Sequence, residues 1–316
     1  MQISYAFDLF PGKPLSVSFL DYNLSTEELS KTKSDVIIVR DDFDLKDIDK
    51  TCIQVSNPRL SFFKILNKFF ANNKKIKFGI SESAIIGNNV SIHKESFIGP
   101  NVIIKDNSSI GKGTVLLGNN YIGENCSIGE NNRIFSNVTF YNNVTIKDNV
   151  TIHSGTIIGS DGFSLIQLDD GLHETPHIGS VIINSNVLIG ANCTIDKATI
   201  VKTEIGEGTK IDNQVHIAHN VIIGKRCVIV GQSAIGGSSV IGDDVSVGGQ
   251  VGIIDHMKVG NRVKIAAKSA VMKSIPDNLF VSGIPATEHS KNKKSDAIFR
   301  DLPSILTRIR ALEKSN

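Results

Sequence analysis

Tryptophan is absent from this sequence and aromatic side chains make up only 6% of it, although 40% of the residues are hydrophobic. A core built from isoleucine, valine and small side chains suits a thin β-solenoid better than a globular sandwich. The 4 cysteines show no C-x-x-C spacing, so neither a metal knuckle nor a disulfide framework is indicated. No apolar run approaches the roughly 18 residues that a spanning helix needs. Residues 1–10 lack a basic stretch followed by an apolar one, so no secretory signal is read and the cytoplasm is the expected location. A formal net charge of +2 gives no reason to expect a nucleic-acid partner.

What the chain does contain is a sixfold period. From Ile205 an aliphatic residue opens every hexapeptide through Ile211, Ile217, Ile223, Ile229, Ile235, Ile241, Val247, Ile253, Val259 and Ile265 to Val271. That period is neither 3.6 nor 2, so neither an amphipathic helix nor an alternating strand accounts for it. Three hexapeptides closing one triangular coil do, and such coils stack into a parallel β-helix with one continuous core. An earlier array holds the same register from Ile86 to Ile158, with Phe140 its only aromatic member. Cys126, Cys193 and Cys227 take the fifth hexapeptide place and read as small buried side chains. Register fails at residues 160–177, a loop with Asp-Gly turns, and again between Ile195 and Ile205. Insertions in a solenoid go to surface loops, so the longer one is expected to contact substrate or a neighbour.

Three divisions follow. Residues 1–80 form a small α/β domain, with strands at 16–22, 35–39 and 51–55. A short helix there opens on the capping box Ser25-Thr26-Glu27-Glu28. A second opens on Asn57-Pro58 and carries Leu60, Phe63, Leu66 and Phe70 at helical spacing. Residues 72–75 are a polar joint. Residues 81–286 form the β-helix. In residues 287–316 a heptad seam of Ile298, Leu302, Ile305, Ile309 and Leu312 predicts a helix that associates with copies of itself, Pro303 lying in its first turn.

Of 8 histidines, His219 stands at a turn beside Asn220, and Gly237 follows it by one 18-residue coil. His256 lies about two coils on, near the same edge. A glycine lets a ligand approach the backbone closely, so its amide can donate to a developing oxyanion. An imidazole base beside it is the minimum equipment for acyl transfer; surface histidines on an inert scaffold are the alternative. A zinc site is disfavoured, because His216 and His219 flank Ile217 with no third ligand in sight. Lys258, Arg262, Lys264, Lys268 and Lys273 make residues 258–276 basic, suited to an acidic partner.

The blocks NPRL at 57–60, GSDGF at 159–163, IDNQ at 211–214 with IAHN at 217–220, GQVG at 249–252 and GIPA at 283–286 stand in one order. In that order they resemble the UDP-3-O-acylglucosamine N-acyltransferases of lipid A synthesis. The resemblance implies a homotrimer with a uridine-binding amino-terminal domain, a left-handed β-helix and a helical tail. It implies transfer of a 3-hydroxyacyl chain from acyl carrier protein to the 2-amino group of a UDP-linked, 3-O-acylated glucosamine. No cofactor is implied beyond the carrier's phosphopantetheine. His219 then resembles the general base, Gly237 the oxyanion donor, His256 a second histidine positioning substrate, and Asp212 and Asn220 polar supports. Phe19 and Tyr22 are the candidates for uracil contact, and the basic run for the carrier protein. The chain departs from the family where Asp21-Tyr22-Asn23 replaces an Asn-Pro pattern and where Asp255 precedes His256 in place of glycine. Ala270, small where some relatives carry a larger side chain, implies a long acyl donor.

Overall fold

The computed structural model describes residues 3–21, 26–46, 48–70 and 76–315. It divides into two compact units, residues 1–75 and 76–316.

In the smaller unit, strands Tyr5–Ala6, Ser16–Phe19, Val36–Arg40 and Thr51–Val55 pair in chain order, all parallel. The sequence anticipated all but the first. Asn57 caps helix Pro58–Ile65, its side chain accepting the Leu60 amide at 2.9 Å, as its place before Pro58 requires. The buried helix face differs from the expected one. Leu60 and Phe63 are exposed, whereas Phe62 packs on the sheet with Ile65, Leu66 and Phe70 beside it. The helix widens into a π-turn at Leu66–Phe70, and that change of pitch turns Phe70 onto the Phe62 side. The expected box at Ser25, the joint at 72–75 and Tyr22 lie outside the described residues.

The larger unit is a parallel β-solenoid whose strands fall into three sheets of 9, 12 and 10 strands. Face one holds strands such as Lys210–Ile211 and Val228–Ile229, face two His216–Ile217 and Ala234–Ile235, and face three Ile222–Ile223 and Val240–Ile241. Away from the register breaks and the last coil, each strand pairs with the one 18 residues on, as His216 with Ala234 and Ala234 with Gly252. The periodic aliphatics point inward into one buried column, Phe140 at 0% exposure between Ile122 and Ile158. Cys126, Cys193 and Cys227 are free and buried; burial pushes the Cys126 thiol up to about 11.

Both breaks in register leave the solenoid between faces two and three. In the longer one, strands Leu165–Leu168 and Gly171–Glu174 form an antiparallel hairpin. The chain rejoins where Val144–Ile146 pairs with Ser180–Ile183. The last helix runs over His289–Ser315 with Pro303 inside it rather than in its first turn. Its start precedes the seam because the polar residues after His289 include no helix breaker. Ile298, Leu302, Ile309 and Leu312 are all exposed on it.

Candidate functional site

The corner between faces two and three carries His219, Gly237 and His256 on successive coils. The His219 carbonyl accepts the Ser238 amide, and the Gly237 carbonyl accepts the His256 amide, each at 2.9 Å. His219 lies outside the barrel wall, half-buried. A methyl group built on Gly237 would sit 2.8 Å from both Cε1 and Nε2 of His219, so the imidazole reaches up over that glycine. The Gly237 amide has no hydrogen-bond acceptor among the described residues.

The tautomer of His219 is fixed from behind. Asn220 Oδ1 accepts from the Thr199 amide at 3.1 Å, from Thr199 Oγ1 at 3.1 Å, and lies 2.9 Å from His219 Nδ1. The Thr199 main-chain N–H can only donate, so the atom facing it is the amide oxygen. Nδ1 of His219 therefore carries the proton, and Nε2, toward Gly237, presents a lone pair. Thr199 belongs to the shorter register break, which thus orients the imidazole.

The longer break builds the remaining walls. Gly162 crosses His219 so closely that a β-carbon there would meet His219 Cβ at 2.6 Å and His177 Nε2 at 2.8 Å. His177 is buried and edge-on to His219, ring centres 5.3 Å apart. Its Nδ1 faces the Thr175 carbonyl at 2.9 Å, and its Nε2 has no partner among the described residues. Phe163, His219, Gly237, Asp255 and His256 line a cavity of about 250 Å³ together with Asp196 and His216.

Asp196 is missing from the sequence-derived set, as is His177. Asp196 ends strand Thr194–Asp196, buried, accepting from Ser160 Oγ at 2.9 Å with His216 Nε2 3.8 Å away. Burial pushes its carboxyl up, and the Ser160 bond and then the charges of His216, His219 and His177 oppose that rise. A folded-state pKa above the unfolded value makes this group stabilising only in acid, and the contribution is lost as pH rises through the folded pKa. Asp196→Asn, which keeps the Ser160 acceptor, is therefore expected to raise Tm at neutral pH by roughly 2–4 °C per 1 kcal/mol relieved. The gain should shrink as pH falls toward the ordinary carboxylate value of about 4; a thermal melt series over pH reads it.

Other expected residues are placed elsewhere. Asp212 stands at the corner between faces one and two, holding the Asn213 amide at 2.8 Å and the Gly231 amide at 3.1 Å. The chain does not bring Asp212 to His219, because it follows a face-one strand and His219 a face-two strand. Ala270 points out from face two, above Gly252, Ala234 and His216 in one column of outward positions. Phe19 packs its ring against Phe62 in the smaller unit, 4.9 Å between centres. Lys258, Arg262, Lys264, Lys268 and Lys273 do not share a face. They encircle the last full coil, two on outward strand positions and three at corners. Asp255 and His256 are both exposed, Oδ2 and Nε2 3.9 Å apart. No group of three possible metal ligands exists among the described residues.

The bacterial transferase hexapeptide (six repeats) family matches residues 83–118, 125–160 and 202–237. Among solved structures, UDP-N-acetylglucosamine O-acyltransferase from Moraxella catarrhalis is 27% identical with a TM-score of 0.52, over 66% of this chain and 73% of that one. The Arabidopsis UDP-N-acetylglucosamine acyltransferase, 21% identical with a TM-score of 0.55, covers 66% of this chain and 71% of its own and shares the fold alone. The solenoid is, like theirs, a left-handed parallel β-helix. A UDP-3-O-acylglucosamine N-acyltransferase 1 from Gloeobacter violaceus is 40% identical over 51% of this chain, a match spanning only 46% of that relative. A second relative, from Methylacidiphilum infernorum and named UDP-3-O-acylglucosamine N-acyltransferase, is 42% identical over 99% of this chain and 89% of its own length. With blocks, coil architecture and end-to-end identity in agreement, the chain belongs to the UDP-3-O-acylglucosamine N-acyltransferase family.

Proposed function

We propose that this protein is an N-acyltransferase that moves a 3-hydroxyacyl chain from acyl carrier protein to the 2-amino group of UDP-3-O-(3-hydroxyacyl)glucosamine. The observation that carries the reading is the lone pair of His219 Nε2 beside the unpaired Gly237 amide. The donor's thioester carbonyl lies over the Gly237 N–H, and the sugar amine approaches from the His219 side. Nε2 takes a proton as the nitrogen attacks the carbonyl carbon. The oxyanion forms against the Gly237 amide, where a preorganised donor gains most. Collapse re-forms the carbonyl, breaks the C–S bond, and returns the proton from His219 to the departing thiolate. Asn220 keeps Nδ1 protonated throughout and supports the imidazolium. His256 positions substrate at the far side of the cavity.

No cofactor is needed beyond the carrier's phosphopantetheine. The small outward residues Ala234, Gly252 and Ala270 beside the cavity fit a long acyl chain, which a bulkier side chain at 270 would block. In the same proposal the collar of Lys and Arg receives the acidic carrier, Phe19 and Tyr22 contact uracil, and the exposed seam of the last helix joins three copies. The reaction takes place in the cytoplasm. The test is mass spectrometry of products from a mixture of acyl-carrier-protein and CoA thioesters of different lengths with several UDP-amino sugars. The reading requires an amide on UDP-3-O-acylglucosamine from a long carrier-bound donor. Preference for short chains would reject the role of Ala270, and exclusive use of CoA donors would replace the carrier.

A further inference from the structure

Elsewhere in the solenoid, where Asp or Asn stands one coil on from a corner's second residue, its side-chain oxygen caps that residue's amide. Lys225 donates to Asp243 Oδ1 at 2.8 Å, Asp243 to Asn261 Oδ1 at 2.8 Å, Asn261 to Asp277 Oδ1 at 2.9 Å and Glu130 to Asp148 Oδ1 at 2.7 Å. In each case a short polar side chain one coil on folds back over the amide below it. Gly237 stands at that corner position, and the residue one coil on is Asp255, a side chain of the capping type. The main chain there stacks as it does at the capped corners. His256 donates to the Gly237 carbonyl at 2.9 Å just as Asp244 donates to Lys225 and Arg262 to Asp243, both at 2.8 Å. His256 also takes the left-handed φ of 58° that Asp244 takes at 58° and Arg262 at 55°. Only the side chain departs. The Asp255 carboxylate is turned out, 69% exposed, with one oxygen 3.9 Å from His256 Nε2, and the Gly237 amide is left open.

We propose that Asp255 is a gate on the oxyanion site: folded back it caps the Gly237 amide and closes it, and turned out it releases the amide to the thioester oxygen. The proposal rests on the assignment of that amide to the oxyanion. A cationic group entering the cavity, such as the ammonium of the amine substrate, holds the carboxylate outward and opens the site when an acceptor is present. Without an acceptor the closed form withholds the amide from a thioester that water would otherwise cleave, giving free acid and thiol. Asp255 acts through the amide and is a positioning residue.

The measurement is hydrolysis of a 3-hydroxyacyl thioester of acyl carrier protein by the full-length enzyme with no amine present, alongside kcat and KM for transfer to UDP-3-O-acylglucosamine. Asp255→Gly removes the competing oxygen and is expected to hydrolyse the donor about 2- to 10-fold faster, the worth of one such hydrogen bond. KM for the amine should rise in the same variant, because the carboxylate no longer receives the ammonium. Asp255→Asn retains a capping oxygen, as Asn261 does, and is expected to show a smaller rise in hydrolysis. Hydrolysis by the Gly variant no faster than wild type, or by the Asn variant as fast as by the Gly variant, overturns the gate. Absence of transfer by the wild type would instead overturn the acyltransferase reading, so the two failures are distinct.

Discussion

Replacing His219 by Ala is expected to lower kcat about 10²- to 10⁴-fold, the usual contribution of a positioned general base, while leaving the solenoid folded. His219 is half-buried at a corner and contributes nothing to the inward column of isoleucine and valine, so its loss opens no core cavity. Its Nδ1 partner, Asn220 Oδ1, keeps two donors from Thr199 after the change. A half-buried acceptor is therefore not orphaned. Thermal melting superimposable on wild type, with turnover lost, would match the assignment; turnover at the wild-type rate removes it. The companion Asn220→Asp keeps an acceptor on Nδ1 but adds charge beside a main-chain donor, and retains more activity than His219→Ala if orientation of the ring is what Asn220 supplies.

Gly237→Ala is expected to cost about 100-fold in kcat although it removes no functional group. The backbone accepts alanine there, since Gly237 does not take the left-handed φ that excludes side chains. What the new methyl meets is the imidazole, 2.8 Å from Cε1 and Nε2. Because Asn220 pins Nδ1, the ring cannot swing clear without losing the bond that fixes its tautomer. A displacement of about 1 Å at the reacting atom carries a penalty of that order. A double variant separates the causes. If the methyl acts only by displacing the ring, His219→Ala with Gly237→Ala is no slower than His219→Ala alone. An additional loss in the double variant would mean that the methyl also obstructs the thioester.

How far the sequence alone reaches is seen in these two residues. Stacking every 18 residues is a matter of chain length, so an exact period suffices to place His219 and Gly237 at one corner before any coordinate is known. The same arithmetic separates Asp212 from them, since it follows a face-one strand, and a match to a family motif says nothing about which edge a residue occupies. Asp196 and His177 were not legible. His177 lies in chain that leaves the sixfold register, and Asp196 ends the strand at which the second break begins, where periodicity no longer relates sequence distance to height along the axis. Ser160 and Gly162 bring that chain back over the corner through contacts that no spacing rule encodes. In the smaller unit the buried helix face departs from the sequence spacing for a related reason. Helical spacing sets Leu60 and Phe63 in line with Leu66 and Phe70, and the π-turn at Leu66–Phe70 takes Phe70 out of that line. Proline's tolerance in a first turn suggests a helix start at Pro303, yet the helix runs through it.

The alignment of the His219 imidazole and the Gly237 amide also limits how the solenoid can change in length. Adding one complete triangle of chain away from the coils of the site would leave every inward side chain beneath its neighbour, so such growth is structurally silent there. Between Asn220 and Gly236 the same addition would raise the amide by about 4.8 Å, one strand spacing, and strand the lone pair beneath an unrelated turn. The scaffold thus tolerates whole-triangle duplications along most of its height and forbids them across the levels that hold the corner of His219, Gly237 and His256.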